Sequence, residues 1–102
     1  GPRAVFFKIG SAKIDDYGKV NIQLAAKLMK ANPDKKYKIA GYCDSATGSA
    51  KWNKELSEKR AQAVYDALVN EGVSEKQMEL IGYGGTANMF GKDFLNRVVI
   101  LE

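Results

Sequence analysis

Arg60 is the residue whose position most needs a chemical explanation. It lies four residues after Leu56 and four before Val64, on the apolar side of a long helical pattern. A bulky cation there must reach out to water, pair with an acid, or bind something. Asp44 stands at the mouth of the loop that feeds this helix, where its carboxylate can turn toward Arg60. From these two residues alone, a structural ion pair and a ligand site are equally good readings.

Other chemistry is limited by what is absent. The chain has no histidine, which removes Ser-His-Asp and Cys-His catalysis, histidine-ligated metals and the usual general base near neutral pH. Cys43 is the only cysteine, so neither an internal disulfide nor a cysteine zinc cluster can form. Without a histidine partner, Cys43 reads as an ordinary small residue at a strand end. Gly82-Tyr83-Gly84-Gly85-Thr86-Ala87 fits a G-x-G-x-x-A pattern. A dinucleotide site also needs a helix opening there and an acid about 20 positions on. The rest of the chain reads as loop and strand, so the pattern is taken as a glycine turn. The aromatics Phe6, Phe7, Tyr37, Tyr42 and Phe94 are read as core or sheet-edge residues rather than an RNA platform. That platform runs β-α-β-β-α-β, and its aromatic strand motif is missing here.

The elements that position these residues follow from pattern and punctuation. Ala4 to Ile9 is short, aromatic and β-branched, and reads as a strand ended by Gly10-Ser11. Asp15 and Asp16 are N-cap candidates for a first helix stopped by Asn32-Pro33. Its apolar residues form two adjacent rows, Val20, Leu24 and Leu28, and beside them Ile22, Ala25 and Met29. Tyr37 to Tyr42 reads as a second strand. A second helix runs from Ala50 to Asn70 before Glu71-Gly72, with Trp52, Leu56, Val64 and Leu68 as its stripe. Ser74 to Gln77 makes one turn, Met78 to Tyr83 a third strand, and Phe94 to Leu101 a fourth. The order β-α-β-α-β-β predicts an α/β domain of α+β type. It is a two-layer sandwich, a mixed four-stranded sheet with both helices packed on one face.

Length and composition set the frame. A chain of 102 residues makes one domain, residues 1–102, with Gly1 and Pro2 set aside as cloning remnants. Apolar residues make up 45% and charged residues 27%, too apolar for disorder, and no apolar run is long enough to span a bilayer. There is no initiator methionine and no signal peptide, so the chain reads as part of a longer protein. The net charge of +4 suits an anionic partner, but the lysines are interleaved with acids as on a solvated face.

Motifs in one order along nearly the whole chain carry a resemblance. They are Ile39-Ala40-Gly41-Tyr42-Cys43-Asp44, Trp52-Asn53, Leu56-Ser57-Glu58-Lys59-Arg60-Ala61, Gly72-Val73, Gly82-Tyr83-Gly84 and Asn96-Arg97-Val98-Val99. This series resembles the OmpA-like peptidoglycan-binding domain, whose pattern runs G-H-T-D, aromatic-Asn, L-S-x-x-R-A, G-V, G-Y/F-G and N-R-R-V. Tyr42 and Cys43 replace that family's His and Thr, and Val98 replaces its second arginine, leaving Arg97 alone.

The resemblance implies non-covalent peptidoglycan binding that anchors an outer membrane to the cell wall. Asp44 would take the ammonium, and Arg60 the carboxylate, of the diaminopimelate zwitterion in the stem peptide. Asn53 would be a secondary polar contact, Gly10 and Ser11 a main-chain contact, and Arg97 part of the same site. It further implies a periplasmic domain of a Gram-negative outer-membrane protein, with a β-barrel ahead of it in the parent chain and a homodimer kept open. No catalysis, cofactor, metal or nucleic acid is expected. The alternative on the same fold is an interaction or assembly domain with a decayed wall-binding site. On the wall-binding reading, Arg60→Ala loses binding and keeps its fold.

Overall fold

The computed structural model describes residues 3–46, 48–85 and 96–102. Among them, seven elements follow in the order β1 (Ala4–Phe6), α1 (Asp16–Ala31), β2 (Tyr37–Gly41), α2 (Ala50–Asn70), a 3₁₀ turn (Glu75–Gln77), β3 (Met78–Gly82) and β4 (Val98–Leu101). The strands form one mixed sheet in the order β1-β4-β2-β3. β2 and β3 are parallel, joined by a crossover through α2. β4 lies antiparallel between β1 and β2. This is the α+β sandwich that the element order predicts.

Local chemistry explains the helix ends. The Asp15 carboxylate accepts the Gly18 N–H at 2.8 Å and caps α1, and the Ser49 hydroxyl accepts the Trp52 N–H at 3.1 Å and caps α2. Beyond α2 the chain turns through Gly72 at φ +94°, a conformation glycine adopts without steric cost. Gln77 is buried, and its amide nitrogen donates to the carbonyls of Met29, Asn32 and Lys35, so the 3₁₀ turn closes the end of α1. The core lies between sheet and helices and includes Val5, Ile22, Met29, Ile39, Val64 and Leu68.

Gly41 and Gly82 set how close α2 comes to the sheet. They face each other across the β2–β3 register. A Cβ on Gly41 would lie 2.0 Å from the Ser57 main-chain oxygen, and one on Gly82 would lie 2.7 Å from the Glu58 nitrogen. The missing side chains let the middle of α2 rest on the ends of both strands, which carries Arg60 over the edge of the sheet.

Two expectations need correction, the strand ends and the place of Trp52. β1 ends at Phe6 rather than Ile9, β2 at Gly41 rather than Tyr42 and β3 at Gly82 rather than Tyr83. After β1 and β2 the backbone turns its carbonyls toward Arg60. The start of the fourth strand at Phe94, and most of the loop before it, lie outside the described residues. The inward stripe of α1 is Ile22, Ala25, Ala26 and Met29, while Val20, Leu24 and Leu28 are exposed. The two small alanines let α1 approach the sheet closely, and Asn21 donates to the Ala4 carbonyl on the edge strand, fixing the helix rotation. Trp52 is also exposed, because the first turn of α2 extends past the sheet onto the loop at Gly48.

Candidate functional site

The end of the sheet where β2 and β3 finish gathers Arg60, Arg97, Asp44, Cys43 and the segment after β1. Arg60 is 1% exposed. Its Nε donates to the Ser11 carbonyl at 2.8 Å, Nη2 to the Lys8 carbonyl at 3.0 Å, and Nη1 to the Tyr42 carbonyl at 3.1 Å. Nη1 also lies 3.4 Å from the Cys43 sulfur, and the guanidinium stands 5.4 Å from the centre of the Phe7 ring. The planar fork thus ties α2 to two separate stretches of main chain, which a lysine head cannot do with one point charge.

Asp44 is 2% exposed, and its ion pair among the described residues is with Arg97, not Arg60. Arg97 Nη1 donates to Asp44 Oδ2 at 3.2 Å, while its Nε donates to the Phe7 carbonyl at 3.1 Å. This corrects the ion-pair reading of Asp44 with Arg60. The reason is one of reach: Arg60 is drawn to carbonyls that have left the sheet, and Arg97 enters β4 beside Asp44. The two guanidiniums together hold the carbonyls of Phe7, Lys8 and Ser11.

The other residues singled out from the sequence lie around this cluster. Ser11 takes part through its main-chain oxygen. Gly10 is exposed at φ +67°, with nothing within 4 Å of where a Cβ would sit. Asn53 is buried on the first turn of α2, its side chain beside Gly48 and Gly85 and its carbonyl accepting the Cys43 thiol at 3.3 Å. Two contributors were not singled out. The Ser57 hydroxyl, fully buried, accepts the Gly84 N–H at 2.8 Å and donates to the Lys54 carbonyl, fixing the chain after β3. Lys8 acts through a carbonyl, which side-chain patterns do not reveal.

Burial pushes the Cys43 thiol up; the Arg60 cation opposes this and the Asp44 carboxylate adds to it. The thiol therefore stays protonated near neutral pH and is a poor nucleophile. Burial pulls the Arg60 guanidinium down from its usual range, with Cys43 opposing, Arg97 adding and Asp44 opposing. Among the described residues no group of three or more acids and cysteines is placed to hold a metal.

Comparison with known proteins yields a consistent set of relatives. The OmpA family model matches residues 6–98. Outer membrane protein 40 of Porphyromonas gingivalis is 36% identical over 97 residues, covering 95% of this chain and 25% of that protein. Outer membrane porin F of Pseudomonas aeruginosa is 37% identical over 81 residues, covering 78% and 23%. The chain thus spans about a quarter of the length of these two relatives. Among solved structures, the peptidoglycan-associated lipoprotein of Burkholderia pseudomallei superposes with a TM-score of 0.88 at 29% identity, covering 98% of this chain and 90% of that one.

Proposed function

The chain belongs to the OmpA family, and from that premise we propose that it binds peptidoglycan non-covalently through the diaminopimelate zwitterion of the stem peptide. The observation that carries this reading is one acid and two guanidiniums, Asp44, Arg60 and Arg97, gathered at one end of the sheet. A zwitterion needs both signs within a few ångströms, held before it arrives. Asp44 receives the ammonium. Arg60 supplies the positive charge that meets the carboxylate, and Arg97 adds to it from beside Asp44. Ser11 and Gly10 offer main chain, and Asn53 supports the loop from the helix side.

The domain holds its ligand and does not cleave it, in keeping with a protonated buried thiol and a chain without histidine. Relatives named as outer-membrane proteins, and a lipoprotein named as peptidoglycan-associated, support placing the domain in the periplasm of a Gram-negative bacterium. A β-barrel ahead of it in the parent chain fits the same reading.

Asp44→Asn tests this. The amide keeps the shape and loses the charge, so retention on purified sacculi should fall at least about tenfold while the chain stays folded. Wild-type retention by the folded variant would refute the role given to Asp44.

A further inference from the structure

Asp44 lies past the end of β2, beyond the paired strands. Its neighbour Cys43 is tied back to the fold through α2. The Cys43 N–H donates to the Gly84 carbonyl at 3.0 Å. Gly84 is buried, and its own N–H donates to the Ser57 hydroxyl at 2.8 Å. That hydroxyl donates in turn to the Lys54 carbonyl at 2.8 Å, one turn earlier on α2. A second tie runs beside the first, from the Cys43 thiol to the Asn53 carbonyl at 3.3 Å.

Ser57 is fully buried, so water does not compete for its hydroxyl. Gly84 holds φ +72°, and a Cβ there would lie 3.4 Å from the Lys54 Cα, so the turn after β3 rests against α2. Ser57 and Arg60 stand three residues apart and share one face of α2. Arg60 holds the Tyr42 carbonyl, and Ser57 holds the Cys43 N–H through Gly84. One helix therefore grips the two residues in front of Asp44 and also carries the guanidinium.

We propose that Ser57 is a positioning residue for recognition of the ligand's ammonium, an inference that rests on the peptidoglycan reading of Asp44 and Arg60. Through Gly84 and Cys43 it fixes the main chain entering Asp44 to α2. The spacing between carboxylate and guanidinium is then set by one rigid element. A zwitterion presents its two charges at a fixed separation, so a site that holds the matching spacing beforehand loses less on binding. Arg97 holds the carboxylate itself at 3.2 Å, so the Asp44 side chain is oriented from β4 and its main chain from α2. Serine suits the task because one small hydroxyl both accepts from Gly84 and donates to Lys54.

A double-mutant cycle on retention by purified sacculi tests this. Ser57→Ala strips the buried Gly84 N–H of its acceptor and should cut retention by at least about fivefold in the folded chain. In the Asp44→Asn background it should cut retention no further, because no carboxylate is left to position. Its effect on the melting temperature should be the same in both backgrounds, which separates positioning from general stability. Ser57→Cys keeps the bulk and only a weak acceptor, so its retention should fall between wild type and Ser57→Ala. It takes the place of Ser57→Ala in the cycle if that variant does not fold. Wild-type retention by Ser57→Ala would overturn the proposal. So would an equal fold-loss in both backgrounds, which would leave Ser57 as a structural tie only. Wild-type retention by Asp44→Asn is a different failure: it refutes the role given to Asp44, and this proposal with it.

Discussion

Arg60→Ala should lower the stability of the folded chain by about 3–5 kcal/mol, the range for truncating a large buried group that leaves polar partners behind. Three carbonyls, those of Lys8, Ser11 and Tyr42, lose their donor at once, and the Tyr42 bond is buried. The Phe7 ring loses the cation beside it. In a domain of this size the melting temperature should drop by roughly 12 °C or more. Arg60→Lys should recover only part of this, since one ammonium cannot span the two main-chain stretches. A fall of less than about 3 °C for Arg60→Ala would show that the guanidinium does not tie these segments to α2. The expectation that Arg60→Ala keeps its fold and loses only binding therefore needs revision. The side chain holds the site together as well as facing the ligand, so Asp44→Asn is the cleaner probe of recognition.

Gly41→Ala should cost about 3 kcal/mol or more, although it adds a single methyl group. The new Cβ would meet the Ser57 carbonyl oxygen at 2.0 Å, a main-chain atom in the middle of α2 that cannot rotate away. The helix must lift from the sheet, and core residues such as Ala61 and Val64 move with it. Chemical denaturation of the variant measures the loss. A midpoint unchanged from wild type would mean that α2 does not rest on the paired glycines.

Much of this architecture was legible because its signals are local. The cap Asp15, the Asn32-Pro33 stop and the glycine after α2 follow from backbone chemistry within a few residues. The span of α2 from Ala50 to Asn70 is as the pattern predicts. What was not legible depends on contacts far apart in sequence. α1 carries two apolar rows, and periodicity alone does not say which faces inward. The choice rests on the small Ala25 and Ala26 and on Asn21 bonding to Ala4, seventeen residues away. Arg60 was conspicuous as a cation on an apolar face, but its acceptors are carbonyls at positions 8, 11 and 42, and carbonyls carry no sequence signature. The Asp44–Arg97 pair joins residues 53 apart, and only the sheet order β1-β4-β2-β3 brings them together.

The most direct test of the central claim is a titration of the folded chain with meso-diaminopimelate, followed residue by residue through backbone amide shifts, with lysine as the comparison. Lysine keeps one zwitterionic end and replaces the other with a bare ammonium, as cadaverine does at both ends. Saturable shifts are expected, centred on Lys8–Ser11 and Cys43–Asp44, reduced with lysine, absent with cadaverine and lost in Asp44→Asn. Shifts confined to another face, or an equal response to cadaverine, would contradict recognition of a zwitterion by this acid and these guanidiniums.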